Sequence, residues 1–427
     1  MNCIMKRNFE KIFLVIILFC SSLLFFKTPG TADVNHWLSW AHNANTYGIV
    51  KGFAADNDVY PPLGSLILNT STKISTSLGL SEFMGIKLSI YFFLLLTLII
   101  LYIVTGNYLL SIISYFLLMI NSLGLVYLDI YFTPFLILSL FFLKKKNILL
   151  TTVFYCLASM IKMQVIILMP FLVLQIVNVH SLSEFKHLDY KKITLNFILP
   201  YALILSAILL VYGMPFLLLF KNAYEEDILS GEATNIGWII TFFLHYFFPN
   251  TFGSLESSDF AIRMIRGDNI LFHMLKYAFF ISYAIIFFKY FKIKEKSFEK
   301  FLLYATAAFL SYFILNKGVH ENHLHIAVIL LILLYGEDKN YFTDMLMWGM
   351  LFNINMIVFY GFDGRGFNRY DLTDLQNPFT SYRVIEILDL SLLFSFICVA
   401  IYSIFIFKYI IKRNGQLPQN KILSERC

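Results

Sequence analysis

Residues 85–105 read GIKLSIYFFLLLTLIILYIVT, and this stretch decides the class of fold. A helix needs about 20 consecutive apolar residues to cross the hydrocarbon core of a bilayer, so this stretch is long enough to cross it. Comparable apolar runs recur from Ile12 to Phe407. The sequence therefore predicts an all-α protein, a polytopic helical bundle in a membrane.

The composition agrees with a membrane protein. Of the 427 residues, 59% are hydrophobic and 14% are charged, whereas a soluble domain of this length needs more polar surface. The formal net charge of +6 comes mostly from short basic clusters beside apolar segments, so it reports topology and predicts no nucleic-acid partner. The five cysteines form no close pair, so neither a disulfide framework nor a zinc site is expected.

The basic clusters also predict which loops share a side of the membrane. A basic N-terminal segment precedes a first helix near 11–28, which we expect to be retained rather than cleaved. The next segment, Pro61–Leu78, is only weakly hydrophobic. If it crossed the membrane, Lys144–Lys146 would lie outside, against the positive-inside rule. Pro61–Leu78 is therefore predicted to be a re-entrant or interfacial helix.

This assignment gives about twelve crossings, with both termini in the cytoplasm and the polar loops on the outer face of the cell (inner) membrane. We expect 1–427 to form a single integral membrane domain, whose parts are 29–84 (first outer loop), 85–220 (catalytic-module helices), 221–268 (long outer loop) and 269–427 (C-terminal helices). The crossings are predicted near 11–28, 85–105, 107–124, 128–143, 147–161, 163–178, 194–220, 269–290, 300–316, 323–336, 341–361 and 384–409.

The first outer loop contains the polar stretch Thr31–Leu63, TADVNHWLSWAHNANTYGIVKGFAADNDVYPPL. As a helix, its first half puts Trp37, Trp40, Ala44 and Tyr47 on one stripe, which suits a helix in the headgroup layer. Asp33 begins that helix. The carboxylate either complements the helix dipole or serves as a general base at the lipid–water boundary.

The same loop contains the triplet Asp56-Asn57-Asp58. Its D-x-D form can hold a divalent metal through hard oxygens, but Asp and Asn also favour ordinary turns. Asp56 and Asp58 are therefore the metal candidates in this chain, and no cofactor is assigned.

Lys162 and the His320–His325 segment carry ionisable groups close to apolar runs. Lys162, with Gln164 beside it, either snorkels to the interface or binds a lipid phosphate. His320 and Glu321 begin a cluster that lacks the HExxH spacing of a zinc site. That cluster either forms an interfacial belt or binds a phosphate.

Two further groups lie at predicted outer helix ends. Asp129 follows an apolar helix, and Arg365, Arg369 and Arg383 lie in the last outer loop. The planar guanidinium fork suits phosphate and diphosphate oxygens. These arginines are therefore candidates for binding a phosphorylated ligand.

Taken in order, these pieces resemble the GT-C superfamily of integral-membrane glycosyltransferases that use polyprenyl-phosphate sugars. In that family the first outer loop has an acidic residue, an aromatic helix and a YPPL-like turn, which here are Asp33, Trp37 with Trp40, and Tyr60–Leu63. The YPPL turn in this position is the most specific element.

Other parts of the chain are similar to the same family. Asp129 followed by basic residues looks like its early acidic helix end, and Lys162, Gln164 and Pro170 look like its K-x-Q-and-Pro pattern. GVHENHLHIAV resembles an H-E-K motif, with Asn322 in place of the Lys. ATNIGWII, through Asn235 and Trp238, is loosely similar to an S-x-N-A-x-N-x-W stretch.

The resemblance implies an inverting sugar transfer. Asp33 would act as base or would orient the acceptor, and the leaving lipid phosphate would be stabilised by the cations Lys162, His320 and one of Arg365 or Arg369. The acceptor and substrate would contact Trp37, Tyr60, Asp129, Gln164 and Glu321. The implied partners are a polyprenyl-phosphate-linked sugar, a lipid-linked or glycan acceptor, and membrane lipid.

Two alternatives stay open. One is a polysaccharide polymerase or ligase of the O-antigen type, although those enzymes usually rely on Arg- and His-rich segments in a large late outer loop. The other is a flippase for a lipid carrier, or a transporter, which needs polar residues deep in the bilayer.

Overall fold

The computed structural model of the chain describes residues 16–55, 60–224, 228–253, 264–267, 270–361, 384–385 and 388–412. These residues are mainly helical, and their only strands are Val384–Ile385 and Leu388–Asp389, which pair antiparallel. The all-α fold class is therefore confirmed for this part of the chain.

The α-helices follow one another along the chain with short connections. In chain order they are α1 (Ile16–Phe25), α2 (Asp33–Tyr47), α3 (Ile49–Ala55), α4 (Pro62–Ser77), α5 (Glu82–Thr105), α6 (Tyr108–Met119), α7 (Thr133–Lys144), α8 (Ile148–Ser159), α9 (Met169–Val177), α10 (Tyr190–Tyr212), α11 (Met214–Tyr224), α12 (Ile236–Phe247), α13 (Pro249–Phe252), α14 (Ile270–Phe291), α15 (Phe298–Leu315), α16 (His325–Glu337), α17 (Phe342–Tyr360) and α18 (Leu390–Ile411).

Short 3-10 and π segments join several of these helices. The 3-10 segments are Leu128–Tyr131, Met163–Leu168, Leu182–His187, Glu321–Leu324 and Lys339–Tyr341, and a π turn, Ile120–Gly124, ends α6. Most of the residues in the candidate site described below lie on these segments or at helix ends.

Six of the described helices are long and apolar enough to cross a membrane: α5, α10, α14, α15, α17 and α18. Several shorter apolar helices accompany them, including α1, α8 and α12. The chain is therefore a multi-pass integral membrane protein. The figure of about twelve crossings stays a prediction, as does the membrane face on which each loop lies.

Local sequence explains where the long helices begin and end. The Ser81 hydroxyl accepts a hydrogen bond from the Met84 N–H and caps α5, which ends at Gly106 with a φ of 65°. Asn107 and Asn147 cap α6 and α8 in the same way. Such caps satisfy backbone donors that the helix itself leaves unpaired.

Two predicted crossings have wrong boundaries. The segment 194–220 is not one helix, because the chain breaks at Gly213 (φ 60°) and resumes as α11. The segment 128–143 becomes α-helical only at Thr133, because Leu128–Tyr131 forms a 3-10 turn and Pro134 lies in the first turn of α7. Proline is favoured there, since its missing N–H has no partner in the first turn.

The weakly hydrophobic segment Pro61–Leu78 forms α4. This helix is not among those apolar enough to cross a membrane. Its buried face includes Gly64, Leu68, Thr72 and Ser75, and it packs against α2 and α5. The helix thus packs against the rest of the segment 29–84 and against α5, and its re-entrant or interfacial placement stays a prediction.

The central helix of the bundle is α15, whose residues are almost all buried. Helices α7, α8, α9 and α15 each run between the same two ends of the bundle. One end contains Lys144, Lys146 and Lys296, and the other contains Asp129, Lys162 and His320. The basic clusters therefore meet at one end, as the sequence predicts.

Candidate functional site

The first outer loop places its aromatic residues against the protein. The Trp37 ring contacts the rings of Trp40 and Tyr60 at 4.6 Å and 5.2 Å between centroids. The Trp37 indole N–H donates to the Val126 carbonyl at 3.1 Å. Along the predicted stripe, Trp37, Trp40 and Ala44 are buried against the protein and do not face the surroundings. Only Tyr47, which is 58% exposed, lies at the surface. This packing fixes α2 over the end of the bundle.

Tyr60, Asp129 and Lys162 form the centre of the site. The Lys162 ammonium lies 2.7 Å from the Asp129 carboxylate and donates to the Tyr60 hydroxyl at 3.2 Å. The same ammonium lies 4.7 Å from the centroid of the Tyr60 ring. Tyr60 also donates to Asp129 at 3.4 Å. All three side chains are buried, so the two charges are compensated by each other rather than by water.

Local structure explains why these three residues meet. Asp129 lies on the 3-10 turn before α7, and Lys162 is the extended residue after α8, so the α7–α8 hairpin brings both to one end. Tyr60 comes directly before the Pro61–Pro62 start of α4. The Leu63 N–H donates to the Met160 carbonyl at 3.1 Å and joins that start to the end of α8.

Asp33 lies beside this centre at the start of α2. Burial raises the pKa of its carboxyl, and the charges of His320, His36 and Lys162 lower it again. Asp33 nevertheless keeps intermediate exposure, whereas Asp129 is buried. A carboxyl that is surrounded by protein and still reached by solvent lines a recess. The candidate base is therefore open to a ligand.

Glu321 approaches from the other half of the chain. The Tyr127 hydroxyl donates to its carboxylate, and the His320 imidazole lies 3.9 Å from its second oxygen. Burial raises the pKa of Glu321 to about 7, with His320 lowering it and Asp33 raising it. A pKa shifted towards neutral pH by burial and neighbouring charges is common among acid–base residues.

His323 holds the His320 segment in place. Its Nδ1 accepts from the backbone N–H of His320 at 3.2 Å, and the Gln164 amide lies 3.0 Å from its Nε2. Burial, Lys162 and His320 lower the pKa of His323 well below its ordinary value. Because Nδ1 accepts from the His320 N–H, a neutral His323 ring has its hydrogen on Nε2, and the Gln164 amide then presents its oxygen to that hydrogen.

Gly231 gives His320 its position. The two residues form a parallel bridge, and the Gly231 N–H donates to the Val319 carbonyl at 2.9 Å. A Cβ at Gly231 would lie 2.4 Å from Nδ1 of His320, so only glycine fits beside the ring. The neighbouring Glu232 is buried with a φ of 57°. Strained backbone of this kind is concentrated at functional sites.

The structure brings together most of the sequence-predicted residues. Their shared end of the bundle holds Asp33, Trp37, Tyr60, Asp129, Lys162, Gln164, His320 and Glu321. Arg365, Arg369, Asp56 and Asp58 lie outside the described residues. Asn235 and Trp238 have structural contacts, since Asn235 caps α12 and the Trp238 indole donates to Ser391 at 2.8 Å.

No group of three or more His, Cys, Asp or Glu residues in the described part of the chain could hold a metal ion. The ionisable groups at this end are the three carboxyls of Asp33, Asp129 and Glu321, with Lys162 and His320 beside them. Such a set can exchange protons, and an anionic group would bind on the side of Lys162 and His320.

Sequence reasoning did not single out Tyr127, although it holds the Glu321 carboxylate. It lies two residues before Asp129 in the segment that precedes α7. A tyrosine in an apolar stretch gives no local signal, and its partner lies far along the chain.

Comparison with known proteins identifies no relative of this chain. No family model matches it, and neither a curated protein nor a solved structure matches it.

Proposed function

We propose that the protein is a membrane glycosyltransferase that moves a sugar from a polyprenyl-phosphate donor to a hydroxyl acceptor at the outer membrane face. One observation carries the proposal. Of the three carboxyls at the site, Asp129 is paired with Lys162 and Glu321 accepts from Tyr127, whereas Asp33 lines a recess that solvent reaches. Asp33 is therefore the carboxylate placed to take a proton from a bound ligand.

The reaction follows from this placement. The acceptor oxygen attacks the anomeric carbon, and its proton passes to the Asp33 carboxylate. The bond between the anomeric carbon and the phosphate oxygen breaks, and its electron pair stays on the phosphate. The raised pKa of Asp33 strengthens it as a base, because catalysis is most effective when that pKa lies near the working pH.

The leaving phosphate needs positive charge close by. Lys162 and His320 both act electrostatically on Asp33, so they lie near it at the same end of the bundle. Within the described residues, two of the three Lys162 ammonium hydrogens are used by Asp129 and Tyr60, which leaves one for a phosphate oxygen. Because Asp129 already compensates Lys162, we expect Arg365 or Arg369 to supply further positive charge.

The length of the helices favours a donor that arrives through the lipid. Helices α7 and α8 have 12 residues each, which corresponds to about 18 Å, whereas the hydrocarbon core is about 30 Å thick. If their lysine-rich ends lie at the membrane surface, the Asp129–Lys162 pair lies within the depth of the hydrocarbon core. A polyprenyl chain could then bring its phosphate to the recess from the membrane plane.

The same depth favours a second candidate function. A transporter or lipid-carrier flippase needs a polar site inside the bilayer, and a buried pair such as Asp129–Lys162 is typical of such a site. A carrier would move its substrate across the membrane without changing it, whereas the transferase forms a new glycosidic bond.

The test is sugar transfer in membranes that contain the protein, with a radiolabelled polyprenyl-phosphate monosaccharide as donor. We expect the Asp33→Asn variant to lose transfer and to keep its membrane level, while His42→Gln, on the exposed part of the same helix, keeps activity. Full transfer by Asp33→Asn would refute the proposed role. Product made only from a polyprenyl-diphosphate oligosaccharide would indicate the polymerase or ligase, and uptake without product would indicate the carrier.

A further inference from the structure

A second cavity lies at the lysine-rich end of the bundle, opposite the candidate active site. Its volume is about 450 Å³, and it lies where α7 ends, α8 and α15 begin, and α9 ends. The start of α10 contributes Lys192. Pockets for small ligands commonly occupy 300–1,000 Å³ as an order of magnitude, so this cavity is large enough for one.

The cavity is lined by four lysines with different partners, Lys144, Lys146, Lys192 and Lys296. Lys144 lies 2.7 Å from Glu337, which compensates its charge. Lys296 is buried and donates to the backbone carbonyls of Val179, Phe291 and Ile293 at 2.7, 3.1 and 2.7 Å. These carbonyls fix the ammonium, while burial lowers the pKa of Lys296 and the charge of Glu184 raises it.

Lys146 and Lys192, which are exposed like Lys144, carry the rest of the charge. Within the described residues, neither the Lys146 nor the Lys192 ammonium has an acidic partner within salt-bridge distance. The described residues that line the cavity include no Asp or Glu. Two acids lie nearby: the Asp189 carboxylate accepts from the backbone N–H of Lys192 at 2.9 Å, and Glu184, which acts on Lys296, is itself 2.8 Å from His180. The cavity therefore has an excess of positive charge.

Two helix ends shape the cavity. Lys146 has a φ of 58° and Asn178 a φ of 51°, and both residues line the cavity. They are the left-handed residues that end α7 and α9, a common way for a helix to stop. These turns bring Lys146 to the wall of the cavity.

We propose that this cavity binds a phosphate-bearing anion. Lysine is a suitable phosphate ligand because it presents a compact charge with three donors. Basic pockets between membrane helices at the polar boundary of the bilayer are suited to anionic lipid headgroups. The shared chemistry is a phosphate held by Lys146 and Lys192, whether it belongs to a lipid headgroup or is free in solution. This site is separate from the proposed active site and does not depend on its chemistry.

The test uses the full chain, purified in a neutral detergent, and a matched pair of double variants. Lys146→Gln with Lys192→Gln removes the two cavity lysines. Lys145→Gln with Lys191→Gln removes the same charge from the neighbouring positions, which do not line the cavity. The probes are short-chain phosphatidylglycerol, short-chain phosphatidylcholine and inorganic phosphate. Binding is measured by native mass spectrometry and by the rise in thermal unfolding temperature.

We expect wild type and the Lys145/Lys191 variant to bind phosphatidylglycerol with similar affinity. The Lys146/Lys192 variant should bind it at least roughly tenfold more weakly. Binding of inorganic phosphate with the same dependence on Lys146 and Lys192 would also support the site and would assign it to a free phosphate. Equal losses in both variants would show a general surface-charge effect and overturn the proposal. The proposal would also be overturned if wild type bound neither phosphatidylglycerol nor inorganic phosphate better than phosphatidylcholine, whose phosphate charge is neutralised by its own choline.

Discussion

The Lys162 ammonium lies 2.7 Å from the Asp129 carboxylate, and the exposed fractions of the two side chains are 6% and 1%. Two charges buried at this depth stabilise each other, and neither can be removed without leaving the other uncompensated. Tyr60 donates to Asp129, accepts from Lys162 and packs against Trp37. The pair therefore joins the α7–α8 hairpin to the first outer loop as well as lining the site.

Removing the cation from this pair is expected to destabilise the protein strongly. Lys162→Met should lower the free energy of unfolding by about 3–5 kcal/mol, because Asp129 stays buried without its counter-charge. The measurement is thermal or denaturant unfolding in detergent micelles. Adding Asp129→Asn to the same chain should restore part of the loss.

The matched control is Lys73→Met, which removes a lysine from the exposed face of α4. It should change stability by no more than about 0.5 kcal/mol. The Asp129→Asn single variant completes the comparison. If the double variant loses as much unfolding free energy as Lys162→Met and Asp129→Asn lose together, the pair has no coupling energy. The buried ion pair would then not be what stabilises this end of the bundle.

Stability should depend on pH through Glu321. Burial raises the pKa of this carboxyl to about 7, against 4.5 in the unfolded chain. Between these values the folded state holds a proton that the unfolded state has lost, so stability falls as pH rises from about 4.5 to about 7 and then levels off. One pKa unit corresponds to about 1.4 kcal/mol, which puts the fall at about 3 kcal/mol.

The dependence is measured as the difference in unfolding temperature between wild type and Glu321→Gln across this pH range. Relative to the variant, wild type should become less stable as pH rises, because the amide cannot ionise. Glu337→Gln, which removes an acid from the lysine-rich end, should leave the slope unchanged. Parallel curves for wild type and Glu321→Gln would show that Glu321 has an ordinary pKa.

Much of the helical framework can be predicted from the sequence, because hydrophobic length and caps are local. The predicted segments 85–105 and 300–316 match Glu82–Thr105 and Phe298–Leu315 closely. The break at Gly213 was missed, because an apolar run continues across it and hydropathy does not report a single left-handed residue. The number of crossings is harder still, since 12-residue helices such as Ile148–Ser159 are buried among longer ones and need not span the bilayer alone.

The candidate site shows the same division. The sequence predicts Asp33, Lys162 and His320 as partners, and in the structure Lys162 and His320 lie near enough to act on the Asp33 carboxyl. Their orientation depends on contacts between residues distant in sequence, such as Tyr127 with Glu321. Polarity and helical period locate a charged residue at a helix end, but they do not show which partner from another helix it meets.

Lys87 gives a prediction about the contact between α5, the end of α1 and the π turn Ile120–Gly124. Its side chain is fully buried on α5, and its ammonium donates to the Phe25 carbonyl, the Thr28 hydroxyl and the Leu123 carbonyl at 2.8, 2.9 and 2.6 Å. Lys87→Met should cost several kcal/mol, since each buried acceptor that loses its donor costs about 1–3 kcal/mol.

Thermal unfolding in micelles tests this expectation, with Lys73→Met again as the exposed control. Limited proteolysis of the connection between α1 and α2 should become faster in Lys87→Met, because the lysine holds the end of α1 against the π turn. Unchanged stability and unchanged cleavage would mean that the three acceptors find other donors.

Gly231 tests the position of His320 separately from stability. A methyl group at Gly231 would lie 2.4 Å from Nδ1 and 2.8 Å from Cε1 of the His320 ring, so Gly231→Ala must displace the ring. At Gly64, near the same end, the nearest atom to an added methyl group is the Ile161 carbonyl at 3.4 Å, which is ordinary contact.

If His320 stabilises the leaving phosphate, Gly231→Ala should lower sugar transfer by about tenfold to a hundredfold, because a small misplacement of a charged group weakens transition-state stabilisation. Gly64→Ala should retain transfer. The proposed role of His320 would be refuted by a Gly231→Ala protein with full transfer and a His320 ring shown by structure to have moved, since that combination separates the ring position from the reaction.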